Sequence, residues 1–266
     1  MAISAESREE FQTKQKPLRD KIDECLAREK EVLEQMKKDP NGAEIKKLAL
    51  CEEMIFVSTL YININNLSVQ IIEAKNNDAL NDARKIIYKA IIYLEETVSN
   101  AVDIAYSDQE PFLAKIANVP LEKRFYIVKK LGLVIQLLAD AFGDNSKWKW
   151  TFVEIRGRFA VVAKNLIDMK RASKAYYDPN NPEYENTVLY VRLIRSLLDK
   201  SATEYRDKYE LSTRRLDDMR IAITFLYAAR RIAMILGDKD EAEELKKKSA
   251  VWKEKLDADT KSGTSK

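Results

Sequence analysis

The side chains that most often do chemistry are either missing from this sequence or badly spaced for it. Histidine is absent from all 266 residues. That removes the commonest general base and transition-metal ligand, and with them any Ser-His-Asp or Cys-His nucleophile. The six glycines do not cluster into a phosphate-cradling loop or a nucleophile elbow. The carboxylate pairs Glu52/Glu53, Glu95/Glu96 and Asp217/Asp218 are adjacent in sequence. Neighbours on a helix point apart, so these read as solvated faces rather than acid–base pairs. The expectation is a protein that is not an enzyme, with no catalytic residues, no cofactor and no metal site.

The two cysteines, Cys25 and Cys51, have no CxxC neighbour. If the turn Asp39–Gly42 joins two antiparallel helices, Cys25 faces a position near residue 56. Cys51 then sits about 7 Å away along the axis, a poor disulfide geometry. Free, buried thiols are expected.

What remains is recognition. The aromatics in or beside loops are Trp148, Trp150, Tyr176, Tyr177 and Tyr184. Trp and Tyr are favoured anchors at protein interfaces, and these five are the candidate partner contacts; packing of loops onto helix ends is the alternative for each. Charge is divided along the chain. Residues 1–117 carry 16 basic and 21 acidic side chains, net −5, and residues 118–266 carry 30 and 22, net +8. Such a division allows head-to-tail association with copies of itself, or simply two differently solvated surfaces. Residues 147–177 are rich in Lys and Arg, but their phenylalanines sit at core spacing, so no nucleic-acid partner is expected.

The elements that must position these residues are helices. Charged residues make up 33% of the chain and Gly and Pro number six each, a composition suited to long exposed helices. Pro17 suits a first helical turn, with 5–16 as a looser helix before it. The turn Asp39-Pro40-Asn41-Gly42 leads to a helix over 43–75 with two apolar stripes, hence two neighbours. Further helices are expected over 79–106, 121–142 with Gly143 as its C-cap, 147–177 capped from Asp144–Ser146, and 182–210. The segment 107–119, with Pro111, reads as a boundary. Residues 216–236 are the most apolar helical stretch. Three arginines and Thr224 argue against a membrane span, so this stretch reads as the central helix of a bundle. Ser212 or Thr213 is expected to cap it and Gly237 to close it. Asp238 and Glu241 then form a capping box for a last helix ending near Leu256, and residues 259–266 form a disordered tail. Residues 227–256 are similar to one helix–turn–helix unit of the tetratricopeptide type.

The fold expected is all-α: an elongated multi-helix bundle of about seven major helices in a bent two-part shape. Its parts are an acidic long-helix bundle over 1–117 and a basic bundle over 118–258, which ends in the tetratricopeptide-like helix pair.

The stretches SKWKWTFVEIRGRFAVVAKNLIDMKRASKAYYDPNNPEYENTVLYVRLIRSLLDK and RRLDDMRIAITFLYAARRIAMILGDKDEAEELKKKSAVWKEKL resemble, in their motif-free, aromatic-studded helical texture, the flagellar-coiling proteins of leptospires. The resemblance implies a structural subunit of the periplasmic flagellar filament sheath. Its partners would be flagellin core and sheath subunits, or itself, and its contacts would shape a coiled filament for motility. It also implies a periplasmic location after removal of a signal peptide, which the polar N-terminus does not display. The alternative is a cytoplasmic helical adaptor or scaffold that binds one protein or peptide partner in a groove. Neither reading requires nucleic acid or membrane insertion.

Overall fold

Apolar side chains at helical spacing, few glycines and strong turn signals produce a chain of helices. The computed structural model describes residues 4–143 and 148–263. Among the described residues it is all-helical, with ten α-helices where about seven were expected. They are Ala5–Lys38 (α1), Ala43–Ile72 (α2), Asn77–Val98 (α3), Tyr106–Lys115 (α4), Leu121–Phe142 (α5), Lys149–Asn165 (α6), Met169–Ala175 (α7), Tyr184–Lys208 (α8), Leu216–Ile235 (α9) and Lys239–Lys261 (α10).

The extra helices come from local signals outweighed in the sequence reading. The expected helix over 147–177 breaks after Asn165, because the Asp168 side chain accepts hydrogen bonds from the Lys170 and Arg171 amides and starts α7. Helix α3 stops at Val98 instead of Tyr106, and Ser99 takes a φ of 80°. The segment around Pro111 that reads as a boundary contains α4. Pro17 lies inside α1, which begins at Ala5 behind a Ser4 cap. An interior proline costs roughly 3 kcal/mol; burial of the apolar Phe11 on an earlier turn works against that loss.

The chain forms two compact units, each discontinuous in sequence: Met1–Thr97 with Ile127–Ser146, and Val98–Tyr126 with Lys147–Lys266. Neither is an unbroken stretch such as 1–117 or 118–258.

In the first unit α1 and α2 form a hairpin through the expected turn, where Asp39 accepts from the Asn41 amide and Gly42 has a φ of 67°. Ile22, Cys25, Met54 and Ile64 fill the core with Leu80, Ile87 and Ile91 of α3. The buried Glu29 carboxylate accepts from the Tyr93 hydroxyl and from Lys89 Nζ at 2.8 Å, tying α1 to α3. Cys25 and Cys51 are free and buried, as expected, and burial pushes both thiols up. Helix α2 is long and apolar enough to cross a membrane, yet 44% of its most apolar window is buried inside the protein.

In the second unit α9 occupies the centre, packed on α8 and α10 with α7 beside it. Met219, Ala222, Phe225, Leu226 and Ala233 are inside. Gly157 lets α6 approach α8: a Cβ there would lie 2.5 Å from Tyr205 Cε2. Ser212 and Thr213 do not cap α9. They belong to a π-helical turn, Tyr209–Thr213, and Thr213 Oγ1 donates instead to Asp218 at 2.6 Å. Gly237 closes α9 with a φ of 74°. The capping box is half formed: Asp238 accepts from the Glu241 amide, but the Glu241 side chain is drawn away to Arg195. Helix α10 continues to Lys261, so residues 259–261 are helical where a tail was expected. Asp259 is held by the Tyr209 hydroxyl at 2.6 Å. The expected Asp144–Ser146 cap and the last residues, 264–266, lie outside the described residues.

Candidate functional site: a cationic cleft along α9

The break between α6 and α7 organises the second unit's most distinctive surface. Three successive carbonyls there lose their helical partners and receive side-chain donors instead. Gln109 Nε2 of α4 donates to the Asn165 carbonyl at 2.9 Å and the Ile167 carbonyl at 3.4 Å. Arg124 Nη1 donates to the Leu166 carbonyl at 3.2 Å, while its Nε and Nη2 hold the carbonyls of Val119 and Ile116. Buried backbone groups need partners, and these two side chains supply them. The guanidinium of Arg124 is buried with neutral acceptors, and burial pulls its pKa down.

Asn165 fixes the other wall. Its Nδ2 donates to the carbonyls of Ser99 and Ala101 at 3.0 and 3.1 Å, which pins the loop between α3 and α4. Its Oδ1 accepts from Lys164 Nζ at 2.6 Å. Lys164 thus ends α6 with its ammonium turned inward, only 7% exposed. Burial pulls its pKa down to about 8; the nearby Asp103 opposes the shift and Arg231 adds to it.

Between this wall and α9 lies a cleft of about 550 Å³. Its charged groups are Lys164, Asp103, Arg230 and Arg231, and Tyr106, Gln109 and Tyr227 add neutral polar side chains. Asp103 and Arg231 form a two-point ion pair, and Arg230 Nε is buried without a hydrogen-bond partner. The remaining surface is apolar, including Ile104, Met169 and Ile232. The stretch 216–236 was read as the central helix of a bundle, and α9 does pack on α8 and α10, but one face stays open. There Tyr227, Met234 and Ile235 are exposed, Met234 by 60%. Their spacing places them with Arg231 on one side of the helix. The cleft can therefore hold a group that is apolar over most of its surface and anionic at one point.

A second cleft of about 450 Å³ includes Glu110, Arg124, Asp168, Arg171 and Glu183. Arg171 and Glu183 pair at two points, 2.9 and 3.0 Å, and Arg124 is committed to carbonyls, so its charges are largely spent internally.

The five aromatics picked from the sequence lie elsewhere; none lines the α9 cleft. Trp148 is half-buried at the start of α6, and Trp150 is half-buried as its second residue, with Lys149 Nζ 5.0 Å from its ring centre. Tyr176 meets Tyr177 edge-on at 4.9 Å. Tyr177 is exposed, but its hydroxyl donates to the Leu236 carbonyl at 2.6 Å, which ties it to the end of α9. Tyr184 is half-buried as the first residue of α8. The basic residues of 147–177 are dispersed: Lys164 points inward, Arg156 pairs with Glu204 and Arg171 with Glu183. Sequence reasoning missed Lys164 and the Arg230–Arg231 pair as a site. The available signal was cations set within otherwise apolar runs, AVVAKNLI and FLYAARRIAMIL.

Among the described residues no group of three or more Cys, Asp or Glu is placed to hold a metal ion. No curated protein and no solved structure matches the chain. A family model matches residues 7–260, nearly the whole sequence, and the chain belongs to the TP0443 family.

Proposed function

We propose that the protein is a helical adaptor that holds a protein partner in the α9 cleft, acting by binding rather than by catalysis. The observation that carries this reading is the open face of α9. Exposed apolar side chains at 227, 234 and 235 border a cleft whose interior has cationic groups in excess. Apolar exposure beside fixed charge is the usual make-up of a recognition surface. Met169 and Met234 add adaptable walls that tolerate varied occupants. The test places a photo-crosslinking amino acid in the full chain, in cells, at Met234, at Leu133 or at Leu211, all exposed. A discrete adduct from position 234, absent from 133 and 211, is expected. Equal adducts from all three positions would overturn the single-groove reading.

That contrary result would favour a second reading, a structural subunit of a flagellar filament sheath. Its support is the scatter of exposed apolar side chains away from the cleft: Phe56, Leu133 and Leu137 in the first unit, Leu211 and Val251 in the second. Labelled protein would then decorate isolated periplasmic filaments; bare filaments in a competent assay would remove this reading.

A further inference from the structure

We propose that the α9 cleft receives the free C-terminal carboxylate of a partner chain whose last residues are apolar, with Lys164 as its counter-ion; this rests on the cleft being the partner site.

Charge selects the carboxylate. Four charged groups line the cleft, one anionic and three cationic, and two of them, Asp103 and Arg231, are spent on each other at 2.7 and 3.0 Å. The two left over, Lys164 and Arg230, are both cationic. The Lys164 ammonium has three protons, of which Asn165 Oδ1 takes one. Arg230 Nε is buried with no acceptor. A carboxylate complements the charge of these two cations, and it can accept a charge-assisted hydrogen bond from one of the remaining Lys164 ammonium protons.

The walls select a chain end. Ile104, Met169 and Ile232 offer no hydrogen-bonding atoms on their side chains. A peptide running through the cleft would lay amide N–H and C=O groups against these three side chains, where they find no partners, and only Tyr106, Gln109 and Tyr227 add neutral polar atoms elsewhere in the lining. A chain that stops there buries one carboxylate and its terminal apolar side chains. The rim explains how such a chain leaves: Met234 is 60% exposed and Tyr227 and Ile235 border it, so the preceding residues can pass outward along α9 into water. The volume, about 550 Å³, lies within the range of pockets that take a small ligand. Flexible methionine walls would accept several apolar residue types at the terminus.

The test is fluorescence anisotropy at pH 7 with the full chain and three labelled hexapeptides. One is Gly/Ser-rich and ends in Val-Ile-Leu with a free carboxylate, one is its C-terminal amide, and one carries Glu internally between the same apolar residues and ends in an amide. Loss of the terminal charge should weaken binding at least about tenfold, the effect of one charge-assisted hydrogen bond. Lys164→Met should abolish the preference for acid over amide. Arg230→Leu, at a half-buried position, should reduce the same preference even if Lys164→Met fails to fold. Equal binding of acid and amide overturns the carboxylate inference and leaves the partner site standing. Equal binding of the internal Glu peptide overturns the chain end. No peptide binding, or binding of decanoate instead, overturns the inference as well. Failure of the partner-site reading itself would show separately, as uniform crosslinking from positions 133, 211 and 234.

Discussion

Arg231 of α9 grips Asp103 at two points, Nε on one carboxylate oxygen at 2.7 Å and Nη2 on the other at 3.0 Å. The pair closes one side of the cleft and leaves Lys164 without a carboxylate of its own, although Asp103 still favours its charged form. Arg231 is about half exposed to solvent, and screening there keeps the pair's contribution to stability small, about 1 kcal/mol. Asp103→Asn should therefore shift the urea midpoint only slightly while moving the Lys164 titration to lower pH. NMR of the lysine side chains reads that midpoint; an unchanged value in the variant would mean Asp103 does not act on Lys164.

Lys164 should also leave a mark on stability against pH. Its folded pKa is pulled down to about 8, against about 10.4 in an unfolded chain. Between these values the unfolded chain holds a proton that the folded protein has released, so this group makes stability rise with pH across that window. Below pH 8 the buried ammonium is a constant cost. Lys164→Met should be more stable than the parent at pH 7, by on the order of 2 kcal/mol after loss of the bond to Asn165. The gap should close towards pH 10. Parallel stability curves for the two proteins from pH 7.5 to 10 would contradict this.

Asn165 is the joint between the α6–α7 break and the loop after α3. Asn165→Ala removes the donor to two carbonyls and the acceptor of Lys164. A loss of about 2–3 kcal/mol is expected from the summed hydrogen bonds, measured by urea denaturation. A change within about 0.5 kcal/mol, typical of an uninvolved surface site, would show that the loop is held by other means.

Gly157 is a packing residue. An alanine there would meet the Tyr205 ring at 2.5 Å, and that ring also packs on Phe225 of α9, centroids 5.8 Å apart. Gly157→Ala gains helix propensity yet should lower stability by about 1–3 kcal/mol through overpacking. A rise in thermal midpoint would mean that Tyr205 is free to move aside.

Much of the architecture was legible because it follows from spacing. Residues 216–236 carry enough apolar positions at helical intervals to mark the central helix, and Gly237 with Asp238 marks its end. The break after Asn165 was hidden because NLIDMK continues the apolar period, and Asp168 declares itself as a cap only when the chain turns. The cleft was hidden for a related reason. Its walls come from the loop after α3, the end of α6 and one face of α9, brought together by Gln109 and Asn165 across more than fifty residues of sequence. Composition could flag Arg230 and Arg231 as charges in an apolar helix. It could not show that Arg231 is neutralised by Asp103 and that Lys164 is turned inward.

The α9 cleft can be watched directly through its methionines. Of the six in the chain, Met169 and Met234 line the cleft, Met219 is buried within α9, and Met36 and Met54 lie in the core of the first unit. In a methyl-labelled sample titrated with the free-acid hexapeptide, the Met169 and Met234 methyl resonances should shift together and saturably, with Met36 and Met54 unmoved. Shifts led by Met36 or Met54, or saturable binding that leaves Met169 and Met234 unchanged, would place the partner site elsewhere.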